Sequence, residues 1–199
     1  MKTTLFALFL FFFALVSAKP AFVDTDGNNI INGGYYYILP VVWGPGGGVD
    51  IASTSNETCP LSVVQTSSEL FNGSPIRISS PHKIAELETN YILDLTVVAP
   101  PSCADTPATL TVVSEDDATA KVKLAGYGNA VSGWFKVQAL NGFWMKKGVW
   151  IYKIEFCPTV GNSCGDVGIS YDDKGNRLLA ISHNNPFMVV FGKAESSAE

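Results

Sequence analysis

The sequence predicts an all-β protein, and three observations support this prediction. Short runs of residues alternate apolar with polar side chains, or are rich in β-branched and aromatic residues. Glycine, asparagine and aspartate, which favour tight turns, separate these runs. Beyond the first eighteen residues, no window of helical length keeps an apolar period of 3.6 residues. Many short strands at this spacing are typical of a β-sandwich or a β-barrel.

The first eighteen residues are predicted to be a signal peptide. Lys2 supplies a positive charge, residues 5–16 form an unbroken apolar run, and Val16-Ser17-Ala18 has the small residues of a cleavage site. The run is shorter than the roughly 20 apolar residues that span a bilayer, although an uncleaved signal anchor is the alternative. We therefore expect a secreted protein, and residues 19–199 are long enough for one domain.

Nine strands are predicted in the rest of the chain. They cover residues 35–39, 62–65, 91–98, 109–113, 120–124, 135–140, 149–156, 178–182 and 187–191. Turn residues stand at 26–28, 44–48, 72–73, 141–142 and 175–176. The glycine-rich segment 41–55 is expected to be an extended loop.

A weak internal repeat narrows the choice of architecture. Tyr36-Tyr37-Ile38, Tyr91-Ile92-Leu93 and Tyr152-Lys153-Ile154 recur at separations of 55 and 61 residues. Three similar strand units fit a threefold-symmetric β architecture such as a β-trefoil.

The four cysteines, Cys59, Cys103, Cys157 and Cys164, predict two disulfides, since an even number follows a signal peptide. Their spacing allows three pairings, and the short separation of Cys157 from Cys164 would suit a local loop. A zinc site is the competing interpretation, but there is no C-x-x-C pair, and the chain has only two histidines, at positions 82 and 183. We expect no metal and no cofactor.

Charge and motif content exclude several classes of function. The formal net charge is −5 without a basic stripe, which argues against a nucleic-acid partner. No second apolar segment is long enough for a membrane span. The sequence lacks G-x-S-x-G, H-E-x-x-H, P-loop and dinucleotide-binding patterns, so we expect no enzyme. Two sequons make Asn56 and Asn72 candidate N-glycosylation sites.

Residues 22–38, F-V-D-T-D-G-N-N-I-I-N-G-G-Y-Y-Y-I, resemble the N-terminal signature of the plant Kunitz (soybean trypsin inhibitor) family. The matching positions are Asp24, Asp26, Gly27, Asn28, Ile30, Tyr36 and Ile38. Phe22 replaces the usual aliphatic residue and keeps its apolar role. Further landmarks of the family follow in order: C-P-L at 59–61, V-V-Q at 63–65, S-S-P at 79–81, G-W-F at 133–135, F-C-P at 156–158 and C-G-D-V-G-I-S at 164–170.

The resemblance implies a β-trefoil of twelve short strands with disulfides Cys59–Cys103 and Cys157–Cys164. It also implies a reactive-site loop in which Lys83 is P1 and Ile84 is P1′. The flanking residues would be Ser80, Pro81, His82, Ala85 and Glu86. Asn32 would support this loop from behind through hydrogen bonds.

The residues of this loop suit a trypsin-like serine protease as the partner. The ammonium group of Lys83 can reach the carboxylate of an acidic S1 pocket while its stem lines the slot. Pro81 restricts the backbone toward an extended form, so less entropy is lost on docking. A carboxylate at Glu86 would need a partner if buried.

The resemblance to plant inhibitors also bears on biology. We expect a monomeric plant defence protein that stays outside the cell, in the apoplast, or is diverted to a vacuole. Its rival is a storage or binding protein on the same scaffold, directed at amylase, carbohydrate or another protease class.

Overall fold

A computed structural model describes residues 22–42, 44–54, 57–59, 61–114, 119–140, 149–161 and 163–195. The predicted signal peptide, the turn at 141–142 and the sequon asparagine at position 56 lie outside these ranges. Within them, no helix has the length and apolar character needed to cross a membrane.

Thirteen strands and no helix occupy the described ranges. They are β1 (Gly34–Pro40), β2 (Val49–Ala52), β3 (Ser62–Gln65), β4 (Ile76–Ser79), β5 (Asp94–Val97), β6 (Leu110–Val113), β7 (Lys121–Leu124), β8 (Ala130–Val131), β9 (Gly133–Ala139), β10 (Tyr152–Pro158), β11 (Gly165–Tyr171), β12 (Arg177–Ser182) and β13 (Val189–Lys193). The all-β class is confirmed. The described ranges hold thirteen strands rather than the expected twelve, because a single residue, Ser132, separates β8 from β9.

All strand pairs are antiparallel, in the order β5-β4-β1-β13-β10-β11-β12-β3-β7-β6-β8, with β2 on β3 and β9 on β10. A bridge between Thr96 and Thr109 joins β5 to β6, so the two ends of this order meet. Closure of this kind leaves few free strand edges. Alternate side chains of the strands point inward and form one apolar core.

Four strands were not predicted, namely β2, β4, β8 and β11. The expectation of an extended loop over 41–55 is wrong for residues 49–52, because Val49 is fully buried and β2 pairs with β3 along its length. Strand β11 contains Gly165 and Gly168, which have low strand propensity. A Cβ on Gly165 would come within 2.3 Å of Ile181, so close packing rather than propensity selects glycine there. Tertiary contacts therefore decide these elements.

The tyrosine repeat is structural at two of its three positions. Tyr36 on β1 and Tyr152 on β10 are buried, and their hydroxyls accept hydrogen bonds from the backbone N–H of Ile31 and Val23, both at 2.9 Å. Burial raises the pKa of both phenols, to about 12 for Tyr152. Tyr91, in contrast, precedes β5 and is half-buried. The two buried phenols fix segment 22–31 onto the barrel and so place the residue that follows, Asn32.

Two disulfides join Cys59 to Cys103 and Cys157 to Cys164, the pairing that the resemblance implies. The first links the segment before β3 to the connection between β5 and β6. The second closes the turn between β10 and β11.

Candidate functional site

The connection from β4 to β5 forms a protruding loop at residues 80–86. Pro81, His82, Lys83 and Ala85 are exposed, whereas Ile84 is half-buried and packs against the core. No described residue forms an ion pair with the ammonium group of Lys83. The loop therefore presents a lysine to solvent beside an anchored isoleucine.

The side chain of Asn32 bridges this loop from the inside. Its Nδ2 donates to the carbonyl oxygens of Ser80 (3.4 Å), His82 (3.1 Å) and Ile84 (3.0 Å). Its Oδ1 accepts from the N–H of Ser80 at 2.9 Å. One neutral amide thus contacts backbone on both sides of the Lys83–Ile84 peptide bond, using donor and acceptor functions together.

Backbone pairing holds the two ends of the loop. The N–H of Asn32 donates to the carbonyl of Ala85, and the N–H of Leu87 donates to that of Ile30, both at 2.8 Å. On the other side, the N–H of Gly33 donates to the carbonyl of Ile78 at 2.7 Å. Both sides of the loop are therefore attached to the segment 30–33.

Lys83 stands at the apex of the loop. The N–H of Ile84 donates to the carbonyl of His82 at 2.9 Å, which closes a three-residue turn around Lys83. Pro81, two residues earlier, fixes its own φ angle and lacks an N–H donor. The lysine side chain is consequently displayed on a short, hydrogen-bonded backbone.

The loop is also contacted by two residues, Tyr91 and Asn29, whose role the sequence did not indicate. The ring of Tyr91 lies 5.8 Å from that of His82, next to Asn90, whose φ of 67° turns the chain sharply. Asn29 Nδ2 donates to Oε2 of Glu86 at 2.7 Å. Glu86 is exposed as well as partnered, so the concern about a buried carboxylate does not apply. Neither contact follows from a sequence motif, because each depends on how distant segments pack.

The candidate glycosylation site Asn72 is exposed in the turn between β3 and β4. No group of three or more His, Cys, Asp or Glu residues is placed to hold a metal ion in the part of the chain that the structure describes.

Comparison with known proteins supports the resemblance over nearly the whole chain. A family model described as "Trypsin and protease inhibitor" matches residues 22–193. The Kunitz-type trypsin inhibitor KTI1 of Glycine max is 37% identical over 99% of both chains. Trypsin inhibitor DE-3 of Erythrina variegata is also 37% identical, over 88% of this chain and 99% of that protein.

The fold is shared with solved structures of such inhibitors. Soybean trypsin inhibitor in its complex with porcine pancreatic trypsin superimposes with a TM-score of 0.79, at 36% identity, over 88% of this chain and all of that chain. The β-trefoil expected from the resemblance is therefore confirmed.

Proposed function

The chain belongs to the plant Kunitz family of trypsin and protease inhibitors, and from that membership we propose that it inhibits a trypsin-like serine protease through Lys83 as P1 and Ile84 as P1′. The two curated relatives named above are trypsin inhibitors, and soybean trypsin inhibitor, which shares the fold, has been solved in complex with trypsin. The family consists of protease inhibitors, so the expectation that the chain is not an enzyme is confirmed.

The observation that carries the proposal is the amide of Asn32 beneath the Lys83–Ile84 bond. A protease that attacks the carbonyl of Lys83 forms an acyl-enzyme and leaves Ile84 with a free amine. Asn32 holds the carbonyl oxygens of His82 and Ile84, one on each side of the cut. The amine therefore stays close to the acyl carbon, and religation competes with hydrolysis.

Specificity would come from the lysine itself. An exposed ammonium group on a long apolar stem fits a deep pocket with a carboxylate at its base. Because the loop backbone is already hydrogen-bonded in the free protein, little conformational entropy remains to be lost on docking. His82, Ser80 and Pro81 would contact the enzyme on the P side, and Ala85 and Glu86 on the P′ side.

The remaining expectations about the chain join this proposal. Residues 1–18 would be removed as a signal peptide, residues 19–199 would act as one domain, and the protein would function outside the cell or in a vacuole. Asn72 would accept a glycan, because its side chain is exposed in a secreted chain.

Titration of trypsin, chymotrypsin and papain with the mature protein tests the proposal. We expect trypsin activity to fall linearly to zero at one equivalent, while papain stays active. Mass spectrometry of the inhibitor recovered from the complex should find any cleavage at the Lys83–Ile84 bond. Full trypsin activity at micromolar inhibitor would contradict the proposal and favour a storage or binding role.

A further inference from the structure

We propose a second binding site, for a small aromatic carboxylate, at the opposite end of β1 from the loop at residues 80–86. We call that loop the reactive loop. The site, which we call the Arg177 pocket, is lined by Pro40, Gln65, Ile169, Tyr171, Arg177 and Met188. Its cavity has a volume of about 230 Å³. Strands β1, β3, β11 and β12 contribute to it, together with the residue before β13.

The guanidinium group of Arg177 is held in place but not neutralised. Its Nε donates to Oε1 of Gln65 at 2.8 Å, and its Nη1 donates to the hydroxyl of Tyr171. The guanidinium carbon lies 5.2 Å from the centre of the Tyr171 ring. No carboxylate forms an ion pair with it among the residues that the structure places. Arg177 is therefore an oriented cation that retains Nη2 and the second N–H of Nη1 for an external anion.

Gln65 shows that this orientation is maintained at a cost. The residue is only 3% exposed, and its Nε2 has no hydrogen-bond partner in the described part of the chain. The reversed amide would set its N–H groups against the Nε–H of Arg177 and lose their hydrogen bond.

The acidic residue in the same hairpin, Asp172, does not cancel the positive charge. Asp172 lies in the hairpin between Tyr171 and Arg177, but its Oδ1 accepts from the N–H of Lys174 (3.0 Å) and of Asn176 (2.8 Å). Its Oδ2 accepts from Asn176 Nδ2 at 2.7 Å. The carboxylate is thus occupied within its own turn.

The other walls of the pocket define the ligand. Pro40, Ile169 and Met188 are apolar, and Tyr171, a residue that is 63% exposed, offers its ring for stacking. An arginine fork binds a carboxylate through parallel hydrogen bonds. The cavity is smaller than the roughly 300–1,000 Å³ of drug-sized sites, so the fitting ligand has one or two rings.

This site is separate from the reactive loop. Gly34, at the start of β1, pairs next to the reactive loop, whereas Pro40, at its end, lines the Arg177 pocket. Six residue steps of extended strand separate them by about 20 Å. A ligand in the pocket and a protease on the loop can therefore be bound together.

Calorimetric titration of the mature protein with benzoate and with indole-3-acetate tests the inference, with benzyl alcohol as the uncharged control. We expect R177Q to weaken carboxylate binding at least tenfold and R177K to have an intermediate effect, since lysine lacks the fork. M188W should also abolish binding by filling the cavity while leaving Arg177 in place. Thermal unfolding of each variant shows whether its fold is retained.

The same titration on inhibitor saturated with trypsin should give an unchanged affinity, and R177Q should inhibit trypsin as the wild type does. Equal binding of benzoate by wild type and folded R177Q would overturn the inference. So would the absence of any binding heat at millimolar ligand, or undiminished binding by M188W. If the protein failed to inhibit trypsin, the inferred carboxylate site would still stand, because none of the binding measurements on the free protein involves the reactive loop.

Discussion

Two loops of this protein are each held by one polar side chain, but by groups of opposite character. Asn32 supports the reactive loop with a neutral amide that donates to three carbonyls and accepts from one N–H. Glu57 supports the connection between β2 and β3 with a carboxylate. That carboxylate accepts from the N–H of Thr54 (3.0 Å), the hydroxyl of Ser62 (2.9 Å), Nζ of Lys123 (3.0 Å) and the hydroxyl of Tyr127 (3.0 Å).

The difference shows how each support depends on protonation. Burial by itself would raise the pKa of Glu57, but the hydrogen bonds from Thr54, Lys123, Ser62 and Tyr127 prevail and lower it. The carboxylate support thus requires an ionised group, whereas an amide does not titrate. A carboxylate also cannot donate, so it could not hold the carbonyls that Asn32 holds. The hydrogen bonds of Asn32 to the reactive loop therefore do not depend on the titration of a side chain.

The largest effect is expected from truncating Lys83, the side chain at the apex of the reactive loop. K83A should weaken trypsin binding by a factor of about 1,000 or more, on the order of 4 kcal/mol, because the acidic S1 pocket loses its only cation. Thermal stability should not change, since Lys83 is exposed. Inhibition constants and melting curves measure both, with K174A in the β11–β12 hairpin as the matched control. Retained inhibition by K83A would place the reactive site elsewhere.

Exchanging the chemistry of the amide tests the support itself. N32A should raise the inhibition constant about 10- to 100-fold, because the loss of several hydrogen bonds costs roughly 1.5–3 kcal/mol. N32D should be at least as harmful at pH 8, since its carboxylate would face three carbonyl oxygens. Both variants should be cleaved at Lys83–Ile84 faster than the wild type, which mass spectrometry can follow. If N32D inhibits as well as the wild type, the amide donor is not what supports the loop.

The reciprocal exchange at Glu57 should affect stability and leave inhibition unchanged. E57Q keeps the shape but loses the charge that pairs with Lys123, and should lower the free energy of unfolding by about 2 kcal/mol at pH 7. Chemical denaturation measures this loss, and the trypsin titration serves as the control. A variant as stable as the wild type would show that the Glu57 network contributes little.

The pH dependence of that effect has a defined sign. Because the pKa of Glu57 is lower in the folded protein than its ordinary value of 4.5, the stability it contributes is present above pH 4.5. That contribution is lost as the pH falls through the folded pKa. The difference between wild type and E57Q should therefore shrink from about pH 4.5 downward, and a difference that is constant to pH 2 would contradict the assignment.

The smallest effect is expected at the edge of the reactive loop. Asn29 and Glu86 form an exposed hydrogen bond, and such contacts contribute about 0–1 kcal/mol. N29A should therefore change the inhibition constant by less than about fivefold. An increase in the inhibition constant as large as that expected for N32A would mean that the P′ side of the loop depends on this contact as well.

Much of this architecture follows from the sequence, but not all of it. Residues with a local signature were predictable: the strands around Tyr36 and Tyr152, and, through the family resemblance, the loop with Lys83 and its neighbour Asn32. Strand β11 was missed because Gly165 and Gly168 oppose strand propensity and are selected by close neighbours in space. Glu57 is bound by Lys123 and Tyr127, which lie 66 and 70 residues away in sequence, and no spacing rule reaches that far.

The disulfide between Cys59 and Cys103 keeps the inhibitor in one piece after the proposed cleavage. The Lys83–Ile84 bond lies between these cysteines in sequence, so it is part of a covalent ring closed by the disulfide. One cut in a ring yields one piece, and a nicked inhibitor therefore remains a single molecule. The new carboxylate and amine stay at a fixed effective concentration. On the bound protease, their condensation to the peptide bond, with release of water, is therefore a unimolecular step within the complex. Reduction of this disulfide would remove that covalent link, and only non-covalent contacts would then hold the two fragments together.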